Sequence, residues 1–186
     1  MQDAVFVVDD VLDAPACAAL IDRIERLEPE PTLVRTRQGP RSDPGRRNNT
    51  RVWFDDDDLA ARVFARVLPG VLELAARSPH FFVSRPVRCE RTFRGYRYRP
   101  GERFTVHSDS SFVDDDGARS LLTVLVYVND VAAGGQTRFP ELGLDVQPRA
   151  GRACVFLHAL QHESVVVDVG VKYALRTNVM FASAAF

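Results

Sequence analysis

Lysine is almost absent from this sequence: of 24 basic residues only Lys172 is a lysine, and the bias toward arginine singles out that one position. Cysteine is scarce as well. Cys17, Cys89 and Cys154 are odd in number and widely spaced, which excludes a disulfide framework and a paired-cysteine zinc knuckle and leaves reduced core residues. No apolar run approaches the length of a membrane span. There is no surplus of positive charge either. With a formal net charge of −1 and a sequence pI of about 6.4, no overall field draws the chain onto nucleic acid or an anionic membrane. The opening Met1-Gln2-Asp3-Ala4-Val5 is acidic where a secretory leader would be basic, so the expected location is cytoplasmic. Small molecules or a peptidyl segment are the expected partners.

A length of 186 residues with 46% hydrophobic content suits one well-covered core, and residues 1–186 are read as a single domain. Val5 to Asp9 reads as a short strand, after which Asp13 caps a helix carrying Cys17, Leu20, Ile21, Ile24 and Leu27 at helical spacing and ending before Pro29. Residues 29–49 hold prolines, glycines and Arg35, Arg37, Arg41, Arg46 and Arg47 with little apolar periodicity, and read as a long mobile loop. A second helix follows the acidic run Asp55 to Asp58, with Leu59, Val63, Phe64, Val67 and Leu68 on one stripe. These supporting helices occupy about 1–80. From about 86 to 181 the pattern changes to short β-rich runs broken by turn residues: 87–93, 103–106, 121–128, 137–139, 153–157, 164–169 and 172–181. Such spacing indicates an α+β, mainly β, chain with an antiparallel sandwich or jelly roll. In 121–128 both alternating sets are apolar apart from Thr123 and Tyr127, which predicts a central strand covered on both faces.

His107-Ser108-Asp109 sets an imidazole and a carboxylate two residues apart, on one face of an extended backbone, where they can share a metal. A third ligand must come from elsewhere, and His158 and His162 are the candidates. On a helix their i,i+4 spacing would form a zinc face. The flanking 153–157 and 164–169 are β-type, which puts the two on either side of a turn, free to face different ways. Two histidines and one carboxylate on one face of an octahedral iron leave three positions open for a bidentate co-substrate and O₂.

Read outward, Tyr98-Arg-Pro-Gly-Glu-Arg-Phe-Thr-Val-His107-Ser-Asp109 resembles the tyrosine-to-iron stretch of the prolyl 4-hydroxylase type of Fe(II)/2-oxoglutarate dioxygenases. Leu122 to Tyr127, Asn129, Gly134-Gly135-Gln-Thr137-Arg-Phe139-Pro140, His162-Glu163 and Gly170-Val-Lys172 continue the resemblance in order over about 87–181. It implies a double-stranded β-helix. It also implies iron held by His107, Asp109 and His162, with O₂ and 2-oxoglutarate consumed, succinate and CO₂ released, and ascorbate as a reductant. Lys172 and Tyr127 stand where the family pairs the far (C5) carboxylate of 2-oxoglutarate, and Tyr98 lines the same pocket. Arg176 departs from the better-known prolyl hydroxylases. Four residues beyond Lys172 on the same strand face, it is open to a contact with the C1 carboxylate, a substrate carboxylate or the C5 carboxylate. Because Asp109 fills the position that related halogenases leave small, hydroxylation is expected. The expected substrate is a free amino acid or small metabolite, with an anionic group met by Asn49 and Arg51 at the edge of the arginine-rich segment. A peptidyl prolyl hydroxylase is the alternative, and a non-catalytic metal-binding or sensing module is the alternative of another class.

Overall fold

The computed structural model describes residues 4–36, 38–78 and 84–183. In chain order the elements are β1 (Val5–Val8), α1 (Ala14–Arg26), β2 (Glu30–Pro31), β3 (Val34–Thr36), β4 (Gly39–Arg41), β5 (Thr50–Asp55), α2 (Asp57–Arg77), β6 (Pro86–Cys89) and β7 (Thr92–Tyr98). They continue with β8 (Phe104–His107), β9 (Arg119–Tyr127), β10 (Ala133–Gly134), β11 (Thr137–Phe139), β12 (Leu144–Val146), β13 (Ala153–Leu157), β14 (His162–Ser164), β15 (Val167–Val169) and β16 (Lys172–Phe181). The long sheet runs β1-β13-β9-β16-β7-β5-β2, with β6 also on β16, and a smaller sheet runs β12-β11-β14-β8.

Both helices start where a side chain satisfies the exposed amides. Asp13 accepts from the Ala16 amide at the head of α1, and Asp56 from the Leu59 amide at the head of α2. Cys17, Leu20 and Ile24 of α1, together with Leu59, Val63, Val67, Val71 and Leu74 of α2, are buried on one face of the long sheet against Phe93, Val124, Val126, Leu175 and Val179. The opposite face packs on the small sheet through Tyr127, Cys154, Phe156 and Ala174 against Phe139 and Val146. This helices-on-sheet-on-sheet order is the jelly roll expected, and β9 is indeed flanked by β13 and β16 with both faces covered. The three cysteines are free and buried, as expected.

Two local readings change. Residues 29–49 are not an unstructured loop: β2 pairs with β5, and β3 pairs with β4, which opens on Gly39, whose φ of 106° only glycine adopts easily. Thr50–Asp55, left unassigned between the arginine-rich loop and the acidic run, is a strand paired along its whole length with β7. Its alternation is visible after the fact, with Val52 and Phe54 buried and Trp53 exposed. Arg37 and His80 lie outside the described residues.

Candidate active site

His107 ends β8 and His162 opens β14, and the two are direct cross-strand partners, so their rings stand 4.3 Å apart between centroids. Asp109 is fixed from the other side, its amide donating to the His158 carbonyl at 2.8 Å. One ligand atom from each of His107, Asp109 and His162 lies within 4.8 Å of the others, close enough to share one metal ion. Each imidazole is turned for that purpose. Nδ1 of His107 donates to the Thr105 carbonyl at 2.9 Å and Nδ1 of His162 to the Leu160 carbonyl at 3.0 Å. A carbonyl can only accept, so the proton sits on Nδ1 and the Nε2 lone pair faces the site. Burial lowers the pKa of both: that of His107 falls to about 3, with His162 adding to the effect. Neutral imidazoles beside a carboxylate are the donor set that a divalent iron takes.

The carboxylate of Asp109 is heavily supported. Thr123 Oγ1 donates to Oδ2 at 2.5 Å and the Arg176 guanidinium lies 3.0 Å from the same oxygen. The ring of His158 stands outside this group: its Nδ1 is 2.9 Å from Thr123 Oγ1, so the ring reaches the site only through that hydroxyl. Phe104 stacks on the His107 ring at 3.5 Å and Phe156 lies 4.4 Å from that of His162, so hydrocarbon surrounds the two rings.

Lys172 is 1% exposed at the inner end of the same cavity. Its ammonium donates to the Gly135 carbonyl at 2.7 Å and to Ser164 Oγ at 2.8 Å, and lies 5.2 Å over the Tyr98 ring and 5.5 Å over that of Tyr127. All of these partners are neutral. Burial alone pushes the lysine down to about 7. The carbonyl it meets is held by a turn that admits no side chain: a Cβ on Gly134, where φ is 76°, would fall 2.2 Å from the Val166 carbonyl. A buried ammonium with no carboxylate in ion-pair reach among the described residues fits an anionic ligand, since an unpaired buried charge is costly.

The other expected site residues divide between the cavity lining and its support. Tyr98 lines the cavity, but Tyr127 sits behind its wall and donates its hydroxyl at 2.7 Å to Thr137, which does line it. Arg176 is committed to Asp109. Arg51 is a wall residue, whereas Asn49 is fully buried, its Oδ1 accepting from Arg47 Nε at 2.8 Å and Thr32 Oγ1 at 3.1 Å. Asn49 therefore supports the wall instead of facing a ligand. The site roles of Thr123, Thr137 and Ser164 were missed, because ordinary residue types at ordinary spacings gave no signal, and Arg47 was named only as one of several arginines of residues 29–49.

Two histidines and a carboxylate inside a jelly roll, with a buried lysine deeper in the same cavity, are the donor set and layout that a non-haem iron oxygenase requires. Residues 93–180 match the model of the 2OG-Fe(II) oxygenase superfamily. A protein of Acanthamoeba polyphaga mimivirus assigned as a prolyl 4-hydroxylase is 36% identical over 69 residues, covering 32% of this chain and 28% of that relative, so the chain spans little more than a quarter of its length. Among solved structures, the viral collagen prolyl hydroxylase of Paramecium Bursaria Chlorella virus-1, in its 2-oxoglutarate complex, has a TM-score of 0.66 at 20% identity, covering 95% of this chain and 96% of that one. The α-ketoglutarate-dependent carbocyclase SnoK from nogalamycin biosynthesis has a TM-score of 0.65 at 15% identity, covering 96% and 80%. At such identities the structural likeness shows the fold alone. Over residues 93–180 the chain is thus similar to the 2OG-Fe(II) oxygenases, a superfamily whose cofactors are Fe(II), 2-oxoglutarate and O₂, and its curated relatives are assigned as prolyl 4-hydroxylases. None of the described helices is long and apolar enough to cross a membrane.

Proposed function

We propose that this protein hydroxylates an aliphatic C–H of a small molecule, consuming 2-oxoglutarate and O₂ and releasing succinate and CO₂. The observation that carries the reading is Lys172: a fully buried cation, facing only neutral groups, in the same cavity as the His107, Asp109 and His162 cluster. Iron with its co-substrate supplies the oxidising chemistry; the protein binds, orients and shields. His107 and His162 would ligate through Nε2 and Asp109 through its carboxylate, with Thr123 and Arg176 setting the angle of that carboxylate. Lys172 would pair the C5 carboxylate, assisted by Ser164 and by Thr137, whose hydroxyl is oriented by Tyr127. Phe104 and Phe156 keep water from the imidazoles.

The cavity volume, about 840 Å³, lies in the range of small-molecule sites. A peptidyl proline is the second reading, favoured by the likeness to proteins named as prolyl hydroxylases. The deciding assay is succinate release with Fe(II), 2-oxoglutarate and O₂ across organic acids, amino acids and proline-containing peptides. Stimulation by peptides alone would replace the first reading with the second.

A further inference from the structure

The outer part of the cavity is set by strand register. Across β5 and β7, Arg51 stands opposite Tyr96 and Trp53 opposite Arg94; across β7 and β16, Arg94 stands opposite Arg176 and Tyr96 opposite Ala174. Cross-strand partners project to the same face, so Arg51, Arg94 and Arg176 share one wall with Trp53 between the first two. Arg47 enters from the facing side, where its backbone bridges to Phe104.

Arg176 has its carboxylate in Asp109. Arg47, Arg51 and Arg94 have none within ion-pair distance among the described residues. They lie on rings instead. The guanidinium carbons of Arg51 and Arg94 are 4.8 and 4.6 Å from the Trp53 ring centre, and that of Arg47 is 4.1 Å from Phe104 and 5.1 Å from Tyr96. Glu90, the carboxylate that Arg94 influences, is hydrogen-bonded to Asn178. Arg51 is held below the ordinary arginine range first by burial, with Arg47 and Arg94 pushing the same way. Adjacent like charges on a sheet repel, and among the described residues no carboxylate lies in ion-pair reach to offset that repulsion. The carboxylates of the cavity lining are Asp109, held by Thr123 and Arg176, and Glu163, 3.7 Å from Arg138, and neither lies in ion-pair reach of Arg47, Arg51 or Arg94.

We infer that the mouth is an anion subsite formed by Arg47, Arg51 and Arg94 around Trp53, and that the substrate is a small organic acid whose carboxylate or phosphate has no ammonium beside it. A free amino acid would put its ammonium among the guanidiniums and lose much of the attraction. An acid without that group keeps bidentate arginine contacts and lays its carbon skeleton on the half-exposed Trp53 ring. The inference rests on the oxygenase reading of the same cavity.

Trp53 is the sole tryptophan, so its fluorescence reports this subsite directly. Protein loaded with Mn(II) and 2-oxoglutarate, which occupies the inner lysine, is titrated with inorganic phosphate, N-acetyl-L-leucine, L-leucine and the neutral N-acetyl-L-leucinamide. A saturable response to the first two is expected, about tenfold weaker for L-leucine and absent for the amide; the stronger of the first two identifies phosphate or carboxylate as the recognised group. Arg51→Gln and Arg94→Gln should each weaken the response about tenfold, with far-UV circular dichroism unchanged, whereas Arg26→Gln on the exposed side of α1 should not. No saturable response, an equal response to the amide, or indifference to both arginine substitutions would overturn the subsite. Failure of the wild type to bind 2-oxoglutarate with Mn(II) would instead overturn the oxygenase reading, and the same titration without 2-oxoglutarate would still decide the subsite.

Discussion

The two ends of the cavity solve anion binding differently. At the inner end one ammonium is sealed off, held by a carbonyl and a hydroxyl, and lowered by burial to about 7. At the mouth several guanidiniums lie on aromatic rings, with Arg51 and Arg94 half-buried and Arg47 buried. An ammonium is a compact charge whose donors can be saturated within a fixed cage, and its protonation can shift; a guanidinium is planar, stays charged and stacks. The inner end is thus built for one ligand in one pose, and the mouth tolerates variation in the ligand it grips.

Removing the metal donors should erase the comparison altogether. His107→Ala, Asp109→Ala and His162→Ala are expected to abolish turnover and weaken Fe(II) binding, while His158→Ala keeps measurable activity because its ring touches only Thr123. Anaerobic Fe(II) titration with 2-oxoglutarate, followed through the charge-transfer band, checks this. An inactive His158→Ala that has lost iron would show that the wrong histidine was assigned. His80→Ala, outside the described residues, is likewise expected to remain active.

Lys172→Met tests the inner end alone. Leaving a buried carboxylate without its cation costs roughly 3–5 kcal/mol, so 2-oxoglutarate should bind at least about a hundredfold more weakly, with metal affinity little changed. Arg176→Met should act through Asp109, reducing metal affinity and sparing part of the 2-oxoglutarate affinity. Calorimetry with a redox-inert metal separates the two; if only Arg176→Met loses 2-oxoglutarate, their roles are exchanged.

At the mouth, Arg51→Ala should raise the substrate KM about tenfold, as loss of a charged contact does, and that for 2-oxoglutarate far less. Equal changes in both would make the wall residue an ordinary surface arginine.

The smallest effect concerns pH. Lys172 is lowered from 10.5 to about 7 in the folded, ligand-free protein. Between those values the unfolded chain holds a proton that the folded chain has released, so stability rises with pH through that window; below it the cost of the buried charge is fully present. Ligand-free Lys172→Met should therefore melt a few degrees above the wild type near pH 6, and the gap should close toward pH 10. A gap independent of pH would mean the lysine is not depressed.

Much of this was legible because chemistry and periodicity coincided. β11, β13 and β16 have the bounds expected, since turn residues flank apolar runs, and His107 and Lys172 are rare types that fall in suggestive order with Asp109. What escaped depended on register. The Arg176–Asp109 contact joins β16 to the segment after β8, and the exchange of Tyr127 for Thr137 at the wall follows from how the two sheets face each other. Asn48 and Asn49 are adjacent and identical in type; only the fold decides that Asn48 reaches the Gly101 carbonyl while Asn49 turns inward. β5 was hidden by its neighbours, an arginine-rich segment before it and an acidic run after it.

The solitary lysine also makes the protein addressable by amine chemistry. Apart from the amino terminus, Lys172 is the only amine, and near neutral pH a large share of it is the nucleophilic free base. A reagent small enough to enter the cavity, such as formaldehyde with a mild hydride donor, would alkylate one side chain. Its rate would report whether the inner end is open, and protection by 2-oxoglutarate would give the occupancy of that end with no turnover.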